Sequence, residues 1–206
     1  HNLKKVIQQK YGLDATNGNV GDPDSVTTTT VNGLGNLIIG YNEERGAADD
    51  RSGSHMLVVG QEQNYSSFGG VVGGDTNTAA APYAGVLSGT GNIVNIGADR
   101  SAILGGTNNL VDADSGAVVG GVNNDVTSDN AVVVGGQNNA ASAARSVAVG
   151  GSANDAGSGL SVVVGGKNND TGALNAVVTG GQLNQANGAN SVVSGGNSRT
   201  AATIDD

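Results

Sequence analysis

The sequence predicts an all-β protein, a parallel β-solenoid built from 15-residue coils that associates with copies of itself, and three observations predict it. Double glycines begin at Gly105, Gly120, Gly135, Gly150, Gly165, Gly180 and Gly195, an unbroken spacing of 15 over seven copies. Each pair follows a short apolar or small run, such as Ala117-Val118-Val119, Val132-Val133-Val134 or Val162-Val163-Val164. The composition rules out the usual alternative. With 36 glycines, four tyrosines, one phenylalanine and no tryptophan in 206 residues, the 37% hydrophobic fraction is mostly Ala and Val. Such side chains bury too little area to fill a conventional globular core.

The elements follow in chain order. In residues 1–13, Leu3, Val6 and Ile7 keep helical spacing, lysines gather toward the C-terminal side and Gly12 supplies a C-cap. This segment reads either as the end of a coiled-coil helix or as a short helix capping the first coil. Residues 14–35, with Pro23 and a threonine run, read as a transition containing at most one strand. Residues 36–100 repeat the pattern irregularly, in Leu37-Ile38-Ile39-Gly40, Leu57-Val58-Val59-Gly60, Val71-Val72-Gly73-Gly74 and Val86-Leu87-Ser88-Gly89. The longest insertion, Tyr41 to Met56, is the most charged stretch, and Gly53-Ser54-His55-Met56 runs in register into the next coil. His55 and Met56 read as packing residues. Residues 101–199 are the regular coils, and 200–206 a tail.

Within a regular coil each residue type has a reason. A unit of 15 residues is too short for paired helices or for alternating helix and strand. The glycine pair permits positive φ at a tight corner. An asparagine four residues after the first glycine (Asn109, Asn124, Asn139, Asn154, Asn169, Asn184) tolerates left-handed backbone, bonds locally or stacks as a ladder. Two residues later a small or β-branched side chain (Val111, Val126, Ala141, Ala156, Thr171, Ala186, Ala201) faces inward. In the apolar triplet, Val162 and Val164 lie on one side and Val163 on the other. Both sides are apolar, yet a thin coil encloses only one interior, so the outer side is expected against a neighbouring chain. The alternative is a monomer whose outer valine stripe is exposed or receives another partner.

Ser146-Val147-Ala148-Val149-Gly150, Ser161-Val162-Val163-Val164-Gly165 and Ser191-Val192-Val193-Ser194-Gly195 resemble the head repeat of trimeric autotransporter adhesins, and the likeness covers most of residues 36–199. The resemblance implies a left-handed β-roll, three chains around a shared apolar axis, and a role in attachment at a bacterial cell surface. The repeat departs from that family in its length of 15 rather than 14, and in its second glycine and Asn pair. Trimeric phage tail fibres and bacterial appendage tips use comparable shafts.

The remaining chemistry is mostly exclusion. A net charge of −9 argues against a nucleic-acid partner, and no apolar run is long enough to span a membrane. The first residues lack a signal-peptide core, so any export signal or anchor is expected outside this sequence. No cysteine is available for a disulfide or a thiol nucleophile, and only His1 and His55 carry imidazoles, so no catalysis is expected. Gly120-Gly121-Val122-Asn123-Asn124-Asp125 and Gly165-Gly166-Lys167-Asn168-Asn169-Asp170 share letters with calcium-binding nonapeptides, but the period differs and most copies lack the acid; no metal or cofactor is expected. The glycine pairs do not open a helix as a phosphate loop would. No carboxylate pair recurs at a fixed place as a polysaccharide hydrolase would need.

A binding surface is expected on the irregular coils, where insertions project. Tyr41, Glu43, Glu44, Arg45, Tyr65, Phe68 and Tyr83 are the candidate residues, because Tyr and Arg anchor interfaces and aromatics stack on sugars. A host-surface glycan or protein would be the ligand. The competing expectation is that these side chains plug and cap the first coils. The function expected is that of an extracellular trimeric fibre head mediating attachment, with a purely structural shaft or spacer of a longer fibre as the alternative.

Overall fold

A computed structural model describes residues 13–15, 35–46 and 49–202. The chain winds into a parallel β-solenoid whose coils contribute to two sheets. The first is 12-stranded and the second 10-stranded, with successive strands of each sheet coming from successive coils. Register advances by 15 residues through the regular part: Val132 pairs with Val147, Val147 with Val162 and Val162 with Val177. Among the irregular coils the step varies, as in Leu57↔Val71 and Gly85↔Ala102. At about 4.8 Å per coil, the stack is a rod on the order of 50 Å long.

One narrow core lies between the sheets. The middle residue of each triplet points in, giving Val118, Val133, Ala148, Val163 and Val178, and these meet Val126, Ala141, Ala156, Thr171 and Ala186 of the second sheet. From Val111 onward the apolar side chains of this interior are no larger than valine, whereas the first coils admit Met56 and Tyr65, and alternate side chains of each strand leave it. The Thr171 hydroxyl, the polar member of that column, donates to Ser161 Oγ at 2.7 Å. Ser191 sits 2% exposed at the position that Ala131 and Ala176 fill in other coils, and its Oγ has no hydrogen-bond partner. A buried hydroxyl without a partner is a net cost. Ser191→Ala is therefore expected to stabilise the fold by about 1 kcal/mol, read as a higher urea midpoint. A lower midpoint would show the hydroxyl to be satisfied.

The asparagine column is a ladder. Each Asn Oδ1 accepts from the backbone N–H of the next asparagine (Asn124 N to Asn109 Oδ1, 2.9 Å; Asn139 N to Asn124 Oδ1, 2.9 Å), and each Nδ2 donates to backbone carbonyls of its own coil and the next, glycines in all but the Asn92–Ser88 contact. Gln63 opens the series by accepting from Asn77 N, and the Arg199 N–H closes it on Asn184 Oδ1. The left-handed residue is instead the one before: Asn108, Asn123, Asn138 and Asn168 have φ between 53° and 54°. Ala153, Leu183 and Ser198 take the same conformation at that position.

At the N-terminal end both sheets are covered. Leu13–Ala15 pairs antiparallel with Leu37–Ile39, one strand in the segment read as a transition, beginning one residue inside the stretch read as helix. The rest of the segment expected as helix over residues 1–13 lies outside the described residues. The returning arm of the 41–56 insertion runs along the second sheet, with Tyr65 N donating to Asp50 O at 2.8 Å and Ser54 N to Ser67 O at 2.9 Å. Met56 is buried in the core and its N–H donates to Asn36 Oδ1, so the Gly53–Met56 stretch is integral to the stack, while His55 is exposed at φ 56°. The last coil ends in Thr200–Ala201, paired with Gln185–Ala186.

Outside the core, the two sheets differ. The first carries two columns of half-exposed apolar side chains, among them Ile39, Leu104, Val119, Val134 and Val164, the last 41% exposed. The second carries Asp125, Asp155 and Asp170, with Asp155 directly opposite Asp170, next to Ile93 and Leu110 of the preceding coils. Burial, then the Asp112 and Asp155 charges, push the Asp125 carboxyl above the usual carboxylate range; burial and then Asp155 do the same at Asp170.

Candidate functional site

The glycine corners of the irregular coils stack tightly. A Cβ on Gly40 would lie 2.6 Å from Gly60 O, and one on Gly60 or Gly74 would strike the carbonyl of the coil above. All three have φ above 100°, so glycine is required twice over. The result is a flat strip of backbone with no side chain rising from it. Beside these corners lies an open, shallow depression of about 500 Å³, lined by Gly40, Tyr41, Glu43, Gly60, Gln61, Gly74 and Asp75.

The loop is held by its own charges. Arg51 Nε donates to Asp49 Oδ2 at 2.7 Å, Nη1 donates to the Asn42 carbonyl, and Nη2 lies 3.4 Å from Glu44 Oε1. Arg45 Nη1 reaches across to Thr78 Oγ1 at 2.8 Å. Tyr41 is left 73% exposed at the cleft. Glu43 Oε2 is shielded from solvent and has no hydrogen-bond partner.

The seven candidate side chains therefore divide. Tyr41 and Glu43 line the cleft. Glu44 and Arg45 brace the loop. Tyr65 is 1% exposed, in the inward column beside Ala79, and its hydroxyl donates to Asn42 Oδ1 at 3.0 Å; it fills the first coil. Phe68 and Tyr83 meet edge to face with centroids 5.2 Å apart, away from the cleft lining. Tyr83 is half-exposed, while its edge contact covers part of Phe68. Gln61 and Asp75 complete the cleft, and sequence reading missed them. Their signal was position, since each follows the glycine that ends a triplet in adjacent coils and they pair directly in register.

Among the described residues no group of three or more His, Cys, Asp or Glu side chains is arranged to hold a metal ion, and no helix is long and apolar enough to cross a membrane. The arrangement offers carboxylates, an amide and an aromatic ring over bare backbone, which suits reversible binding of a hydroxylated ligand. No protein-family model matches the chain, and no curated protein matches it either.

Proposed function

We propose that the chain is a non-catalytic segment of an extracellular homotrimeric fibre, with the left-handed β-roll of adhesin heads, that mediates attachment to a cell or surface ligand. The observation that supports this most is the outer face of the first sheet. Leu, Ile and Val recur in its two outward columns from Leu37 to Val177, interrupted by Gly73, Gly85, Ala102 and Ala117, while the outward positions of the second sheet are mostly polar, with Ile93, Leu110 and Ala140 among them. Covering such a face contributes about 1 kcal/mol for each half-exposed valine, and identical chains meeting around an axis cover it for every copy at once. The resemblance to trimeric heads supplies the number three. The cleft at Tyr41 and Glu43 supports attachment over a plain spacer, because the regular coils carry no comparable insertion.

Light scattering is expected to give three times the 20.0 kDa chain mass. Val149→Glu combined with Val164→Lys, which pair across adjacent coils, should keep the coil stack neutral and reduce the mass to one chain. Well-ordered single chains of the unaltered protein at working dilution would refute the trimer. Attachment is checked separately by Tyr41→Ala: undiminished adhesion of an intact trimer would favour the spacer reading.

A further inference from the structure

We infer that the outer face of the first sheet packs against a second copy of this chain at the same coil level, with Leu87, Leu104 and Val119 of one copy seated over Gly85, Ala102 and Ala117 of the next. This rests on the self-association reading and adds which side chains meet. The two outward columns are uneven in a matched way. In three successive coils the first column shrinks to Gly85, Ala102 and Ala117, which stand in register with one another. Two residues further along, the third column of the same coils carries Leu87, Leu104 and Val119. Coils further on hold valine in both columns, as at Val132–Val134 and Val162–Val164. A hollow and a ridge therefore lie side by side at one height on the rod.

Nothing within the chain accounts for the hollow. Gly85 lies in a strand, is free of the positive φ that the corner glycines require, and a Cβ built on it would meet nothing within 4 Å. Glycine weakens a strand, so one with neither a backbone nor a packing reason marks a place where another chain comes close. The ridge, in turn, lacks a cover. Leu87 is 56% exposed, the most exposed apolar side chain of the two columns, and Leu104 is 45% exposed. Symmetry sets how the two features meet. Copies related by rotation about an axis along the rod share coil levels, so the third column of each faces the first column of its neighbour, ridge over hollow, at every contact of a closed ring. Copies running in opposite directions would set each column against itself, leaving hollow against hollow. The face is also large enough for a copy to be its occupant: a strip about 50 Å long and about 15 Å wide offers about 800 Å² per chain, the share each partner gives to a stable interface.

The test uses the absence of native cysteine. Ala102→Cys with Leu104→Cys puts two thiols at one coil level, and Ala102→Cys with Val119→Cys puts them one coil apart. Oxidised in air with a copper–phenanthroline catalyst, the first variant is expected to link chain to chain on a denaturing gel about tenfold faster than the second, because a disulfide needs Cβ atoms about 4 Å apart and one coil adds about 4.8 Å. In a second arm, Gly85→Ile fills the hollow with a residue that strands favour. It is expected to raise about tenfold the concentration at which the assembly comes apart, the effect of an overpacked contact, while the urea midpoint of chains diluted to singles does not fall. Faster linking of the pair one coil apart, no linking of either pair in an assembled protein, or association undiminished by Gly85→Ile would overturn the inference and leave the trimer standing. Unaltered chains that run singly would sink the self-association reading and the inference with it. A ring of two or four chains that links at one level would support the inference and refute the number three.

Discussion

Gly151→Ala is expected to destabilise the solenoid by about 4 kcal/mol or more, while Gly150→Ala, one residue earlier, should cost about 1 kcal/mol. Both glycines have positive φ, 63° at Gly150 and 76° at Gly151. For Gly150 the conformational cost is the whole effect, because a Cβ there meets nothing within 4 Å. The fold already accepts that cost at Ala153 and Leu160. At Gly151 the Cβ falls far inside van der Waals distance of Gly166 O, 2.5 Å from Asn154 Nδ2 and 2.9 Å from Gly165 C. Gly166 O accepts from Ser152 N at 2.9 Å and from Asn154 Nδ2 at 3.3 Å, so the coil cannot retreat without losing both bonds. In a stack whose stability comes from neighbouring coils, the damage is to the coupling between two of them. Thermal unfolding of the two variants at equal chain concentration checks the contrast, and similar melting temperatures would show that the corners have room to spare.

That asymmetry was invisible in the sequence, where the two glycines of a pair look alike. The period, the strand positions and the inward residues were legible because they follow from alternation and repetition: Val163 and Ala156 are buried and Val164 is not. The asparagine's role was legible only in part. Its side chain stacks as a ladder, but the left-handed turn belongs to the preceding residue, and Ala153 and Leu183 show that the coil's path, more than residue preference, imposes it. Aromatic enrichment located the inserted coils without telling inside from outside. Tyr65 pairs in register with Ala79, an inward position, and fills the first coil, whereas Tyr41 lies on a loop that no strand alternation constrains. Gln61 and Asp75 were missed because a cleft between a loop and a row of corners has no one-dimensional signature.

Asn139→Asp tests the ladder at one atom. Asn139 is 1% exposed; its Oδ1 accepts from Asn154 N at 3.0 Å and its Nδ2 donates to Gly135 O at 3.1 Å and Gly151 O at 3.3 Å. Aspartate keeps the shape and the acceptor but turns an oxygen toward two carbonyls. At neutral pH this leaves a buried charge without a partner, expected to cost about 3–5 kcal/mol. Asn139→Ala leaves only unpaired neutral groups and should cost about 1–3 kcal/mol. Burial against carbonyls places the aspartyl pKa higher in the folded chain than in the unfolded one. The charge-related deficit is therefore full above the native pKa and is relieved as pH falls to the unfolded value of about 4, where the neutral acid donates one of the two lost bonds. Relative to Asn139→Ala, the aspartate variant should thus be the less stable at pH 7 and should recover toward it, or beyond it, at pH 3. Urea midpoints of both variants at the two pH values measure this. A deficit that ignores pH, or an aspartate as mild as alanine at pH 7, would mean that water reaches the column and that the coils are not joined by a sealed row of amides.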